Sequence, residues 1–135
     1  IDKRKKLMAH ATAVFTPTEY LECFAGTHVE AMLSGTPVIT TNFGVYPYTI
    51  PDVENGVVGF RCNTLYDFVN ASIICNKYRK NKKIYKYIRK YAERFLMDNV
   101  VIQYQRWFDD LYHVYLSAKY PDKENGWHWL PRIKQ

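Results

Sequence analysis

Glu22-Cys23-Phe24-Ala25-Gly26-Thr27-His28-Val29-Glu30 decides how this chain folds. An apolar stretch, Ala13-Val14-Phe15, stands before it. After it come Ala31-Met32-Leu33-Ser34-Gly35 and then the β-branched run Thr36-Pro37-Val38-Ile39-Thr40-Thr41. Residues 13–16 read as a short buried strand closed by Pro17. Residues 18–25 read as a loop, and 26–34 as a short helix with Val29, Met32 and Leu33 on one side. Gly35 is a natural residue just past a helix end, and Pro37 cannot continue the helix. One acid therefore follows a strand and the other sits in the next helix. Open α/β sheets bind ligands at the carboxyl ends of their strands, beside helix N-termini. Carboxylates there accept hydrogen bonds from hydroxyls, while helix N–H groups face negative charge. The combination suits a sugar joined to a nucleoside diphosphate.

Further along, residues 42–55 read as a loop punctuated by Gly44, Pro47 and Pro51. A third strand is expected at 57–61, after strands at about 12–16 and 37–41. Helices are expected over about 64–77, 82–96 and 99–118, with Asn63-Thr64 and Asp98-Asn99 as caps. Residues 3–10 look like the end of a polar helix. The fold class is thus α/β: a Rossmann-like parallel sheet with a helical C-terminal segment. The expected organisation is a nucleotide-sugar-binding region over 1–62, a helical segment of the same domain over 63–119, and a tail over 120–135. Trp127 and Trp129 give the tail something with which to dock.

The stretch from Thr16 to Phe24, with Glu30-Ala31-Met32-Leu33-Ser34-Gly35-Thr36-Pro37 and the run to Gly44, resembles the C-terminal domain of retaining GT-B glycosyltransferases. The similarity is to the glycosyltransferase 4, or group 1, family. Its hallmark is two glutamates with seven residues between them, followed by Ala-Met and a Gly-Thr-Pro turn. Gly56-Val57-Val58-Gly59-Phe60-Arg61-Cys62 is a second matching piece. The resemblance implies transfer of a hexose from a nucleotide-sugar to an acceptor hydroxyl, with retention. It makes Glu22 the catalytic acid that positions the donor sugar and favours charge at the anomeric carbon, without nucleophilic attack. It puts Glu30 on the ribose hydroxyls, and Phe24, Ala25 and Gly26 on the donor through their main chain. No metal or other cofactor is implied.

The chain departs from that pattern at three places. The family's Phe-Gly is Phe24-Ala25-Gly26 here, and Ala would be strained if position 25 required positive φ. Tyr48 stands where the family has an acid. The family's upstream basic residues for the diphosphate have no counterpart, and Lys3, Arg4, Lys5 and Lys6 lie too near the motif to replace them. A non-catalytic nucleotide- or partner-binding module derived from the same fold therefore stays open as the alternative.

A chain of 135 residues suits one domain. A GT-B enzyme has two Rossmann-like domains, and its donor domain has about six strands against three here. The expectation is a fragment of a longer protein whose N-terminal domain binds the acceptor. Alone it should be inactive, and poorly soluble or oligomeric. Three cysteines without a CxxC pair imply neither a disulfide framework nor zinc, which favours a reducing, cytoplasmic setting. His28 reads as a helix-face residue. The net charge is +6, yet Lys77, Arg79, Lys80, Lys82, Lys83, Lys86, Arg89 and Lys90 fall in one run without an acid. That run reads first as a solvated helical face. Peripheral contact with an anionic membrane is the second reading. Nucleic-acid binding, with Tyr78, Tyr85, Tyr87 and Tyr91 as stacking groups, is the third and is not adopted.

Overall fold

Val38 and Ile39 set the layering. Consecutive strand residues point to opposite faces, and both of these are buried, so the sheet is covered on both sides. The computed structural model describes residues 2–79 and 81–117. Its three strands are β1 (Val14–Thr16), β2 (Val38–Thr41) and β3 (Gly59–Cys62). They pair in parallel in the order β1-β2-β3, with Val14 opposite Val38 and Val38 opposite Gly59. The helices of this part are α1 (Asp2–His10), α2 (Gly26–Leu33), α3 (Tyr46–Thr49), α4 (Leu65–Tyr78) and α5 (Lys82–Ala92).

On one face Val38 packs with Ala31 and Met32 of α2 and with Ile88, Tyr91 and Ala92 of α5. On the other, Ile39 and Cys62 pack with Ala71 and Cys75 of α4. Each fully buried aliphatic side chain contributes roughly 1.5–3 kcal/mol relative to exposure. The expected parallel α/β sheet with flanking helices is what forms, and three strands are found where three were expected.

Local chemistry explains the helix ends. Gly35, at φ 83°, closes α2. Its N–H bonds Met32 O at 2.8 Å and the Thr36 N–H bonds Ala31 O at 3.0 Å, the paired bonds of a Schellman ending. Thr64 caps α4 reciprocally: its hydroxyl accepts from Asp67 N, and the Asp67 carboxylate accepts from Thr64 N at 2.9 Å. Backbone bonds from Asn63 N and Thr64 N hold the Asp67 carboxyl below its ordinary pKa. Asn81 caps α5 by accepting from Lys83 N and Ile84 N.

Three expectations for this part of the chain need correction. Residues 42–55 contain the single turn α3 and a 3₁₀ turn over Asp52–Glu54. Pro47 occupies the first turn of α3, where its missing N–H has no helical partner to lose. The third strand begins at Gly59, because the Val57 and Val58 amides are used on Glu54 O. The expected helix over 82–96 stops at Ala92 and continues as a 3₁₀ turn over Glu93–Phe95.

The chain divides after Leu96 into two units. Of the second, α6 (Met97–Ser117) is described. It starts at Met97, so Asp98 and Asn99 lie inside its first turn instead of capping it. Among the described residues no helix is long and apolar enough to cross a membrane. The tail over 120–135, with Trp127 and Trp129, lies outside the described residues.

Candidate functional site

Glu22 is placed by the two strands beneath it. Thr40 and Thr41 of β2 donate their hydroxyls to Thr16 O at 2.9 Å and Thr18 O at 2.7 Å. These bonds tie down the chain leaving β1 and so aim the loop that carries Glu22. From the other side Gly44, at φ 64°, lies against the Glu22 main chain. A side chain at Gly44 would be strained in that left-handed conformation. The carboxylate emerges exposed at the carboxyl end of the sheet and accepts a 3.4 Å hydrogen bond from the Tyr46 hydroxyl.

Tyr46 is only 1 % exposed. A buried tyrosine requires a partner for its O–H, and Glu22 is that partner. Its ring stacks on His28, with centroids 4.7 Å apart and 27° between planes. His28 is likewise 1 % exposed, so it belongs to the buried side of α2 and not to an outward face. Its Nε2 shares a 2.6 Å hydrogen bond with Thr16 Oγ1. Its Nδ1 is buried without a partner among the described residues. Burial pushes the imidazole pKa down to about 4, so the ring is neutral near pH 7. Thr16, His28, Tyr46 and Glu22 thus form one continuous contact chain from the end of β1 to the exposed carboxylate.

Glu30 stands half-buried about one turn into α2. Arg4 of α1 donates to its Oε1 at 2.9 Å. The run Lys3–Lys6 is near Glu22 in sequence, yet α1 packs beside α2 and brings one of its cations onto a motif acid. Phe24 is 60 % exposed and Ala25 is buried. Ala25 has φ −86°, an ordinary value for an L-residue, so the Phe-Ala-Gly order imposes no strain there. A Cβ at Gly26 would meet open space, and its N–H is turned onto Phe24 O at 3.1 Å.

A second cluster holds the loop after β2. Arg61 donates to Asn42 Oδ1 at 2.9 Å and to Asp52, while Asn42 donates to Asn63. Asn55 accepts from Arg61 N. Both ends of the loop that carries Tyr46 are therefore fastened to β3. Among the described residues no three His, Cys, Asp or Glu side chains are grouped to hold a metal ion.

The family model described as glycosyl transferases group 1 matches residues 2–95, well over half of the chain. The chain belongs to that family. No curated protein and no solved structure gives a match. The matched span of this group 1 glycosyltransferase chain takes in α1 through α5, and so every residue of the site just described.

The sequence reading missed Tyr46, Thr16 and Arg4. Tyr46 lies in a stretch rich in turn residues, where nothing marks a buried side chain. Tyr46→Phe preserves the ring stack on His28 and removes one hydroxyl. Net loss of one hydrogen bond to a charged group corresponds to roughly 1.5 kcal/mol. The expected result is a loss of folding stability of about that size, read as a lower melting temperature. An unchanged melting temperature would mean that the hydroxyl contributes nothing to the fold.

Proposed function

We propose that this domain is the C-terminal, donor-binding part of a retaining GT-B glycosyltransferase of the glycosyltransferase 4 type. It moves a hexose from a nucleotide-sugar to an acceptor hydroxyl, and an N-terminal domain of the same protein supplies the acceptor side. The observation that carries the reading is the placement of Glu22 and Glu30. One follows β1 and the other lies on α2, at the end of a parallel sheet where α/β folds bind ligands.

The residues divide the work. Glu22 accepts from sugar hydroxyls and favours positive charge as the bond from the anomeric carbon to the diphosphate breaks. Glu30 accepts from the ribose hydroxyls, with Arg4 orienting its carboxylate. Phe24, Ala25 and Gly26 shape the turn against which the donor lies. The reaction asks no redox chemistry of the protein, and the reading includes no metal or other cofactor.

A non-catalytic module that binds a nucleotide or a partner is the second reading. Tyr48 favours it, because it stands 69 % exposed where the family carries an acid. Calorimetry on the full-length protein with uridine, guanosine and adenosine diphosphates addresses the shared part of both readings. Glu30→Ala should weaken the preferred nucleotide by roughly 1–3 kcal/mol, the scale of lost hydrogen bonds to a charged group. Unchanged affinity would remove Glu30 from the site. Intact nucleotide binding without any release of sugar from a nucleotide-sugar would select the non-catalytic module.

A further inference from the structure

The charge pattern of α5 works partly against its own stability. Lys82 and Lys83 open it, and its first turn has no acid, although cations at a helix N-terminus oppose the macrodipole. Lys82, Lys86 and Lys90 follow at four-residue spacing, where like charges repel. Folding alone accounts for neither feature. It does account for the other side of the helix, where Ile88, Tyr91 and Ala92 enter the core.

The cations form one face. At about 100° per residue, Lys82, Lys83, Lys86, Arg89 and Lys90 occupy roughly a third of the helix circumference, opposite the core residues. All five are exposed. Among the described residues none of them is paired with a carboxylate. The run from Lys77 to Lys90 carries eight cations and no acid, more than the +6 of the whole chain. The remainder is therefore slightly acidic, and the positive field is concentrated here.

We propose that the outward face of α5 docks the protein electrostatically on an anionic lipid surface, without insertion. Four of the five cations are lysines, point charges suited to a diffuse negative surface, whereas bidentate phosphate readout favours arginine. The large side chain exposed among them is Tyr87, and its hydroxyl is committed to Glu54 at 2.8 Å. No wide apolar strip accompanies the cations, which excludes burial in the acyl region. A single-stranded nucleic acid needs stacking platforms beside its basic groove. Here Tyr91 is buried with its hydroxyl on Thr49 O, and Tyr85 packs against the core. The geometry also leaves the site open. Tyr85 O lies 3.1 Å from a Cβ placed on Gly35, so α5 abuts the C-terminal end of α2. Glu22 precedes the opposite end.

Vesicle flotation of the full chain tests this without reference to any sugar donor. The probes are phosphatidylcholine vesicles with and without about 30 % phosphatidylserine. Binding should require phosphatidylserine and be lost between about 0.1 M and about 1 M salt. Each cation near such a surface is worth roughly fivefold, so Lys86→Gln with Lys90→Gln should weaken binding about 25-fold. These changes relieve i,i+4 repulsion and give up one cation at the helix C-terminus, two small and opposed effects, so the variant should melt close to the parent, and a melting curve verifies its fold. Equal binding to neutral vesicles, indifference to the double substitution, or tighter binding to a single-stranded oligonucleotide than to the vesicles would each overturn the proposal.

Discussion

Glu22→Gln should lower kcat by about 100-fold, the scale of losing one preorganised electrostatic contact to the transition state, while the nucleoside diphosphate Kd stays nearly constant. Glutamine keeps the shape of glutamate and still accepts from the Tyr46 hydroxyl, which lies 3.4 Å from the carboxylate. The loop around it is fastened independently, by Thr40 on Thr16 O and Thr41 on Thr18 O. What the substitution removes is negative charge. In the proposed reaction that charge matters most when positive charge develops at the anomeric carbon, so the loss should belong to turnover and not to nucleotide binding. Steady-state kinetics of nucleotide-sugar consumption by the full-length protein, with parallel calorimetry, separates the two. Equal losses in kcat and nucleotide affinity would move Glu22 onto the nucleotide. No loss in either would make it an ordinary loop acid.

Acid should destabilise the domain through His28. Its folded pKa of about 4 lies below the ordinary 6.5 because burial disfavours the imidazolium. Between those values the unfolded chain binds a proton that the folded one refuses, so stability rises with pH across that window. The contribution is complete above pH 6.5 and is lost as pH falls toward 4. Its ceiling is on the order of 3 kcal/mol. Asp67 acts in a lower window, since its carboxyl is held below 3.8 and its contribution fades only under that value. Thermal melts at intervals from pH 7 to about pH 4 should show Tm falling first through the histidine window. His28→Leu should flatten that part of the profile, because leucine fills much of the space and carries no proton. A parallel fall in the variant would assign the acid sensitivity elsewhere.

The two effects meet in one structure. His28 stacks on Tyr46, and Tyr46 bonds Glu22. Protonating His28 requires the buried ring to open toward water, which disturbs the wall that holds the carboxylate. The folded ring titrates only near pH 4, so turnover should hold until pH approaches that value, whereas stability already falls below 6.5.

The core periodicity was legible from the residues alone. Val38-Ile39 alternates between faces, Gly35 ends α2, and Thr64 starts α4 with Asp67 as its reciprocal partner. These are short-range effects, decided by neighbours within one turn or one strand pair. The acidic pair was legible for the same reason: its spacing fixes one glutamate before α2 and the other on it. The boundaries of β3 were less so. Val57 and Val58 look like strand residues, yet their amides close the turn from Glu54.

The sequence by itself determined the parallel α/β architecture, the end of α2, the start of α4 and the place of Glu22 and Glu30 around α2, because hydrophobic period and terminal capping act locally. Only the tertiary structure decided what surrounds those acids. Arg4 reaches Glu30 because α1 lies beside α2. Tyr46 reaches Glu22, and His28 turns inward to Thr16, because the loop after β2 folds back over the end of β1. Arg61 gathers Asn42 and Asp52 because β3 lies next to β2. Such contacts join residues far apart in the chain, and their hydrogen bonds depend on packing that no local pattern encodes.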